Sequence, residues 1–166
     1  IESIATELER ISGLCRACVK QLEQLESRRW PGAETYRFML KNTARAIDRI
    51  EPAVRSNDTR LALNIGQIKP ELDKAYNRLM KKYTAGLKKS KHTEDLVTGL
   101  LMAHDVDQMG DALLDISEAI MSANLGQPMN IERYHSLRAS VGQLDQVGDP
   151  SALVVEPLAE TRSGSG

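Results

Sequence analysis

The chain has 166 residues, with 22 Lys or Arg set against 23 Asp or Glu and a net charge of −1. That length is one domain's worth. A near-neutral charge offers no footprint for nucleic acid, and an aromatic content of 4% offers no platform for base stacking. No run approaches the roughly 18 apolar residues that a membrane span requires, and no secretory leader is expected. The apolar set is dominated by Leu, Ala, Ile and Met, which favours helix over strand. The start at Ile1 and the Gly/Ser ending read as a piece of a longer, cytoplasmic chain.

The pattern predicts five helices. The first runs from about Glu2 to Ser27, with Ile4, Leu8, Ile11, Cys15, Cys18, Leu22 and Leu25 at 3-4 spacing on one face. Within it, C-R-A-C offers a redox pair or half a zinc site. No second ligand pair completes a zinc site, so the plainer reading is two small core residues of a reduced protein. Arg28 to Gly32 breaks this helix. The second is expected from Ala33 to Ser56, with Phe38, Leu40, Ala44, Ile47, Ile50 and Val54 inward, and Pro52 ending or bending it early. Asn57 or Asp58 caps the third, which continues to Lys89 through a kink at Pro70. Leu61, Leu63, Ile65, Ile68, Leu72, Ala75, Leu79 and Met80 form its apolar face. Thr93 caps the fourth, whose core face is Leu96, Leu100, Ala103, Val106, Met109, Leu113, Ile116 and Ile120. A shorter fifth helix runs from Asn130 to Val147. A bundle over 1–147 then gives way to an extended tail over 148–166, a linker to a missing domain. The closing T-R-S-G-S-G lacks the remainder of any phosphate-loop motif.

The fourth helix is the most informative stretch. From Glu94 to Asn124 it carries seven acids and no Lys or Arg. At about 100° per residue, His104, Asp107, Asp111, Asp115 and Glu118 fall within a stripe about 80° wide. Like charges at i,i+4 repel by a few tenths of a kcal/mol per pair. No cation within the helix relieves them, so relief comes from a metal, a basic partner helix or water. From Lys69 to Lys91 there are eight Lys or Arg against two acids. Short connections make helices three and four antiparallel, which sets most of that basic stretch near the start of helix four and away from Asp107 to Glu118.

Helix one echoes helix four. L-E-R-I-S-G-L-C-R-A-C aligns with V-D-Q-M-G-D-A-L-L-D-I, acid on acid (Glu9 on Asp107) and apolar on apolar (Ile11 on Met109). Together the two segments resemble the PhoU phosphate-uptake regulator family, whose repeats end in a helix patterned like E-R-I-G-D-x-x-x-N-I-A-E. Asp107-Gln108-Met109-Gly110-Asp111 followed by Asp115-Ile116-Ser117-Glu118 follows that pattern, with Asp for Glu, Gln-Met for Arg-Ile, Asp for Asn and Ser for Ala. Helix one keeps Glu9-Arg10-Ile11 but has Gly13 in place of the second acid. Residues 33–124 would then form one complete three-helix repeat, with helix one the degenerate end of another.

The resemblance implies an all-α, antiparallel helical bundle: a PhoU-like three-helix repeat with additional N- and C-terminal helices. It implies a cytoplasmic, non-catalytic regulator of phosphate uptake or signalling, with iron or zinc clusters held on such carboxylates in several members. The candidate metal residues here are Asp107, Asp111 and Asp115, with His104 adding a nitrogen and Glu71 and Asp73 opposing them from helix three. Oxygen donors suit Fe, Mn or Mg; the absent acid at Gly13 works against a cluster using both repeats. A solvated acidic face without metal stands as the alternative.

The implied partners are a phosphate transporter subunit, a sensor kinase or a domain of the same longer chain, with a homo-oligomer as a further option. The competing class is a helical accessory domain of a larger enzyme or transporter, for example one fused to a phosphotransferase. No nucleophile–base constellation marks the chain itself as an enzyme.

Overall fold

Two prolines and two short polar turns divide the chain further than its apolar period suggests. The computed structural model describes residues 2–25, 32–89, 93–131 and 133. The chain separates into two units, Ile1–Ile131 and Glu132–Gly166, and all six helices among the described residues belong to the first. These are α1 (Glu2–Glu23), α2 (Ala33–Ile47), α3 (Ile50–Ser56), α4 (Thr59–Gly66), α5 (Lys69–Leu87) and α6 (Thr93–Leu125). The expected helix from Asn130 to Val147 and the tail over 148–166 lie, but for a few residues at the helix's start, outside the described residues.

The second expected helix is broken at Asp48–Arg49 into α2 and α3, just ahead of Pro52. Proline lacks an N–H and is accommodated in a first helical turn, so a new start there suits it better than a helix interior. The third expected helix divides in the same way. Asp58 caps α4, its side chain accepting from the Arg60 and Leu61 amides, as a short acidic N-cap should. Asn57 precedes it in the left-handed region at φ 51°, which Asn tolerates. Pro70 sits in the opening turn of α5 rather than at a kink.

The fold is an all-α antiparallel bundle built around α6. Its buried residues include Leu96, Met102, Val106, Met109, Leu113, Ile116 and Ile120. Cross-helix contacts fix the directions. On α1, Arg10 lies near Asp115 while Gln21 meets Asp105, so α1 runs antiparallel to α6. On α5, Lys69 meets Asp107, while an added Cβ at Gly99 would lie 2.7 Å from the Tyr83 ring, again an antiparallel pairing. Ser117, fully buried, donates to the Ala62 carbonyl of α4 at 2.6 Å.

The α6 phase follows the expected one, except that Leu100 is only half-buried. The α2–α3 phase does so only at Ile50 and, half-buried, Ile47; Ala44 is exposed. Phe38, Leu40 and Val54 are exposed, and the stripe that faces the core is Tyr36, Met39, Thr43, Ala46, Ile50 and Ala53. The stripe mixes large side chains (Tyr36, Met39, Ile50) with small ones (Thr43, Ala46, Ala53) that let the backbone approach its neighbours. In α1, only Ile11 and Cys18 of the expected face are buried; Leu8, Cys15 and Leu22 are exposed. α1 thus packs along one edge, and much of its apolar face is not covered by the described residues.

Buried hydroxyls tie α2, α5 and α6 together. Tyr36 and Tyr83 are both buried, and the Tyr36 hydroxyl donates to the Gly99 carbonyl. Burial raises both phenols, Tyr83 to about 12. Neither ionises under ordinary conditions, so both remain available as hydrogen-bond donors.

Candidate functional site

The acidic stripe of α6 runs along a seam between α1 and α5, and two cations from those helices meet it. Lys69 is the first residue of α5. A cation at a helix N-terminus is opposed by the helix dipole, by about 0.3–1 kcal/mol for an exposed group. Three carboxylates offset that here. The Lys69 Nζ lies 2.8 Å from Asp73 Oδ1, 2.9 Å from Asp107 Oδ1 and 2.7 Å from Asp111 Oδ1. These lengths are those of charge-assisted hydrogen bonds. The Lys69 and Asp107 side chains are only 14% and 15% exposed, whereas Asp73 and Asp111 are more open.

The second cation is Arg10 of α1. It donates to the Gln108 side-chain carbonyl and lies 4.0 Å from Asp115 and 3.3 Å from Glu7. Gln108 in turn donates from Nε2 to Asp111 Oδ2 at 3.3 Å. A polar relay therefore runs Arg10–Gln108–Asp111–Lys69 and links α1 through α6 to α5.

Burial acts to lower the Lys69 ammonium, but its hydrogen bonds to Asp111, Asp73 and Asp107 overcome this and hold it above the ordinary lysine range. Asp107 is raised, first by burial and then by Asp111 and Asp73, against the pull of Lys69. These directions agree physically: one ammonium cannot compensate three carboxylates in full. Asp115 is raised by burial, by Glu7 and by Asp111, with Arg10 opposing.

Of the residues expected around a metal, the structure brings together Asp73, Asp107 and Asp111, and they converge on Lys69. Asp115 faces Arg10. Glu71 is exposed and paired at 2.8 Å with Lys74, and His104 is exposed. Glu118 accepts from the Ile131 amide at 2.8 Å. Among the described residues, no three His, Cys, Asp or Glu side chains are grouped so as to hold a metal ion. As placed, Asp73, Asp107 and Asp111 surround the Lys69 ammonium.

A basic partner helix was among the expected sources of relief, but neither Lys69 nor Arg10 was singled out as the cation that supplies it. A signal for Lys69 exists: Lys69 and Asp73 form an i,i+4 pair beside Pro70, which marks a helix start. Arg10 stands in the Glu9-Arg10-Ile11 motif, but its pairing with Gln108 and Asp115 depends on how α1 lies on α6. The cysteines separate in role. Cys18 is buried, and burial, Asp105 and Cys15 push its thiol up to about 12, which leaves it a poor nucleophile. Cys15 is exposed, with its Sγ 4.0 Å from Met109 Sδ.

The PhoU-domain family model matches residues 36–120, just over half of the chain, from Tyr36 in α2 to Ile120 in α6. The chain belongs to the PhoU family. The match takes in Lys69 and all three of its carboxylates and leaves α1, with Arg10, outside. No curated protein and no solved structure matches the chain. Among the described residues, no helix of this PhoU domain is long and apolar enough to cross a membrane.

Proposed function

We propose that this PhoU domain is a non-catalytic regulatory module of phosphate uptake or phosphate signalling that works in the cytoplasm by binding another protein. The observation that carries the reading is the family match over α2–α6. The charge distribution supports it. Lys81, Lys82, Lys88 and Lys89, at and beyond the C-terminal half of α5, are all exposed, and no acid interrupts them between Asp73 and Glu94. Such a face speeds and orients encounter with an acidic surface. The acidic stripe of α6 is engaged by Lys69 and Arg10, so the basic face is the better candidate for docking. The partner is a phosphate transporter subunit, a sensor kinase or a further domain of the same chain.

The test is association kinetics with the cytoplasmic parts of a phosphate transporter and of its sensor kinase. Reversing Lys81, Lys82, Lys88 and Lys89 to Glu is expected to slow association at least tenfold at low salt, with the helical fold intact by circular dichroism. Raising the ionic strength should slow the wild-type chain in the same way. Phosphoryl transfer or hydrolysis by the isolated chain, lost on Asp111→Asn, would replace this reading with an enzyme.

A further inference from the structure

We propose that Lys69 is a tethered cation standing where a carboxylate-bound metal ion would stand, so that this chain closes its α5–α6 seam without divalent or ferric ions. An ammonium has three N–H donors and no acceptor. Lys69 has three carboxylate partners, one from its own helix (Asp73) and two from α6 (Asp107, Asp111), each within 2.9 Å. Its donor capacity is therefore filled, and filled from both sides of a helix–helix seam. Carboxylates of neighbouring bundle helices converge on metals in just this kind of position. Here the centre of convergence is nitrogen.

The backbone is arranged to admit the lysine. Gly110 lies between Asp107 and Asp111 on α6, and a Cβ added there would come within 3.2 Å of Lys69 Cδ and 2.8 Å of Leu72 Cδ1. The absence of a side chain at Gly110 leaves the stem of Lys69 a course across α6 to the carboxylates. The local helix preference runs the other way, since the N-terminus of α5 favours an anion. Lys69 is placed there against that preference, and the three acids are what hold it.

Two consequences follow. Divalent cations should not bind the wild-type seam, because a metal would have to displace an ammonium already bonded three times. Removal of the ammonium should leave three carboxylates around a vacated centre, which suits a hard, oxygen-seeking divalent cation once the oxygens close by a few tenths of an ångström. The proposal does not depend on what the domain regulates, so a failure to find a partner leaves it standing.

The experiment is Mn²⁺ binding to the full chain, followed by electron paramagnetic resonance and by thermal melts across a Mn²⁺ series. The expected result is no saturable Mn²⁺ binding to wild type that Asp107→Asn with Asp111→Asn removes, and at least tenfold tighter binding to Lys69→Ala. The Lys69→Ala melt should rise with Mn²⁺ while the wild-type melt does not. Lys69→Arg, which keeps the charge, should bind no Mn²⁺. A wild-type site abolished by the double Asn variant would overturn the proposal, as would a folded Lys69→Ala that binds Mn²⁺ no better than wild type. If Lys69→Ala folds only when Mn²⁺ is present, the metal is replacing the ammonium and the proposal is supported. If it folds under no condition, the wild-type arm decides, since it requires no variant of Lys69.

Discussion

Lys69 Nζ donates to Asp107 Oδ1 at 2.9 Å, joining the first turn of α5 to the middle of α6 across a separation of 38 residues. The pair is the most enclosed part of the polar seam. It also explains how α6 carries Asp107, Asp111 and Asp115 at four-residue intervals without a basic residue of its own. The compensating charges come from the two helices that flank it.

The crowding of carboxylates has a consequence for pH. Asp115, though about half exposed, is raised above its ordinary value of 3.8 by partial desolvation first and by Glu7 and Asp111 next. A carboxyl raised on folding contributes stability that is full below the unfolded value and is lost as pH rises through the folded one. Urea melts of wild type and Asp115→Asn from about pH 4 to neutrality should therefore show wild type losing ground to the variant as pH rises. A difference that stays constant, or moves the other way, would mean that Arg10 holds Asp115 more strongly than burial and its acidic neighbours oppose it.

Close packing of α5 on α6 depends on Gly99. A Cβ there would lie 2.7 Å from Tyr83 Cζ and 2.8 Å from its hydroxyl, and the Tyr83 ring is buried. Gly99→Ala should cost about 1–3 kcal/mol from overpacking, despite a gain of about 1 kcal/mol in helix propensity. Gly110→Ala meets the methyl end of Leu72 rather than a ring and should cost less. Thermal melts of the two variants should rank them in that order; the reverse order would show that the Tyr83 ring can move aside.

Leu113 lies fully buried at the centre of α6. Truncation to Ala should cost about 2–5 kcal/mol in a urea melt, the range for a buried leucine whose site collapses only partly. A loss below about half a kcal/mol would place Leu113 outside the core.

The central helix was legible from its sequence because α6 carries a sustained apolar stripe, and nearly all of it points where the period says. α2 was misphased for a specific reason. Phe38, Leu40 and Val54 are apolar but exposed, whereas polar Thr43 and small Ala46 and Ala53 share the core face with Tyr36, Met39 and Ile50. Both faces of α2 carry large apolar side chains, so apolar character alone does not fix which side faces the core. The broken arms at Asp48–Arg49 and Gln67–Ile68 were visible as Pro52 and Pro70, but a proline signals a bend or a new start alike, and tertiary packing decides which. At the site, the acids were legible and the cations were not. The i,i+4 spacing of Asp107, Asp111 and Asp115 is a property of one helix, whereas Arg10 and Lys69 reach them from separate elements.

The most direct measurement is a double-mutant cycle on Lys69→Met and Asp107→Asn, read as unfolding free energy at neutral pH. A shared, largely enclosed ion pair should give a coupling of about 1–3 kcal/mol, with Lys69→Met alone the more damaging single change because it leaves three carboxylates facing one another. A coupling indistinguishable from zero, with Lys69→Met no less stable than wild type, would contradict the account of the seam.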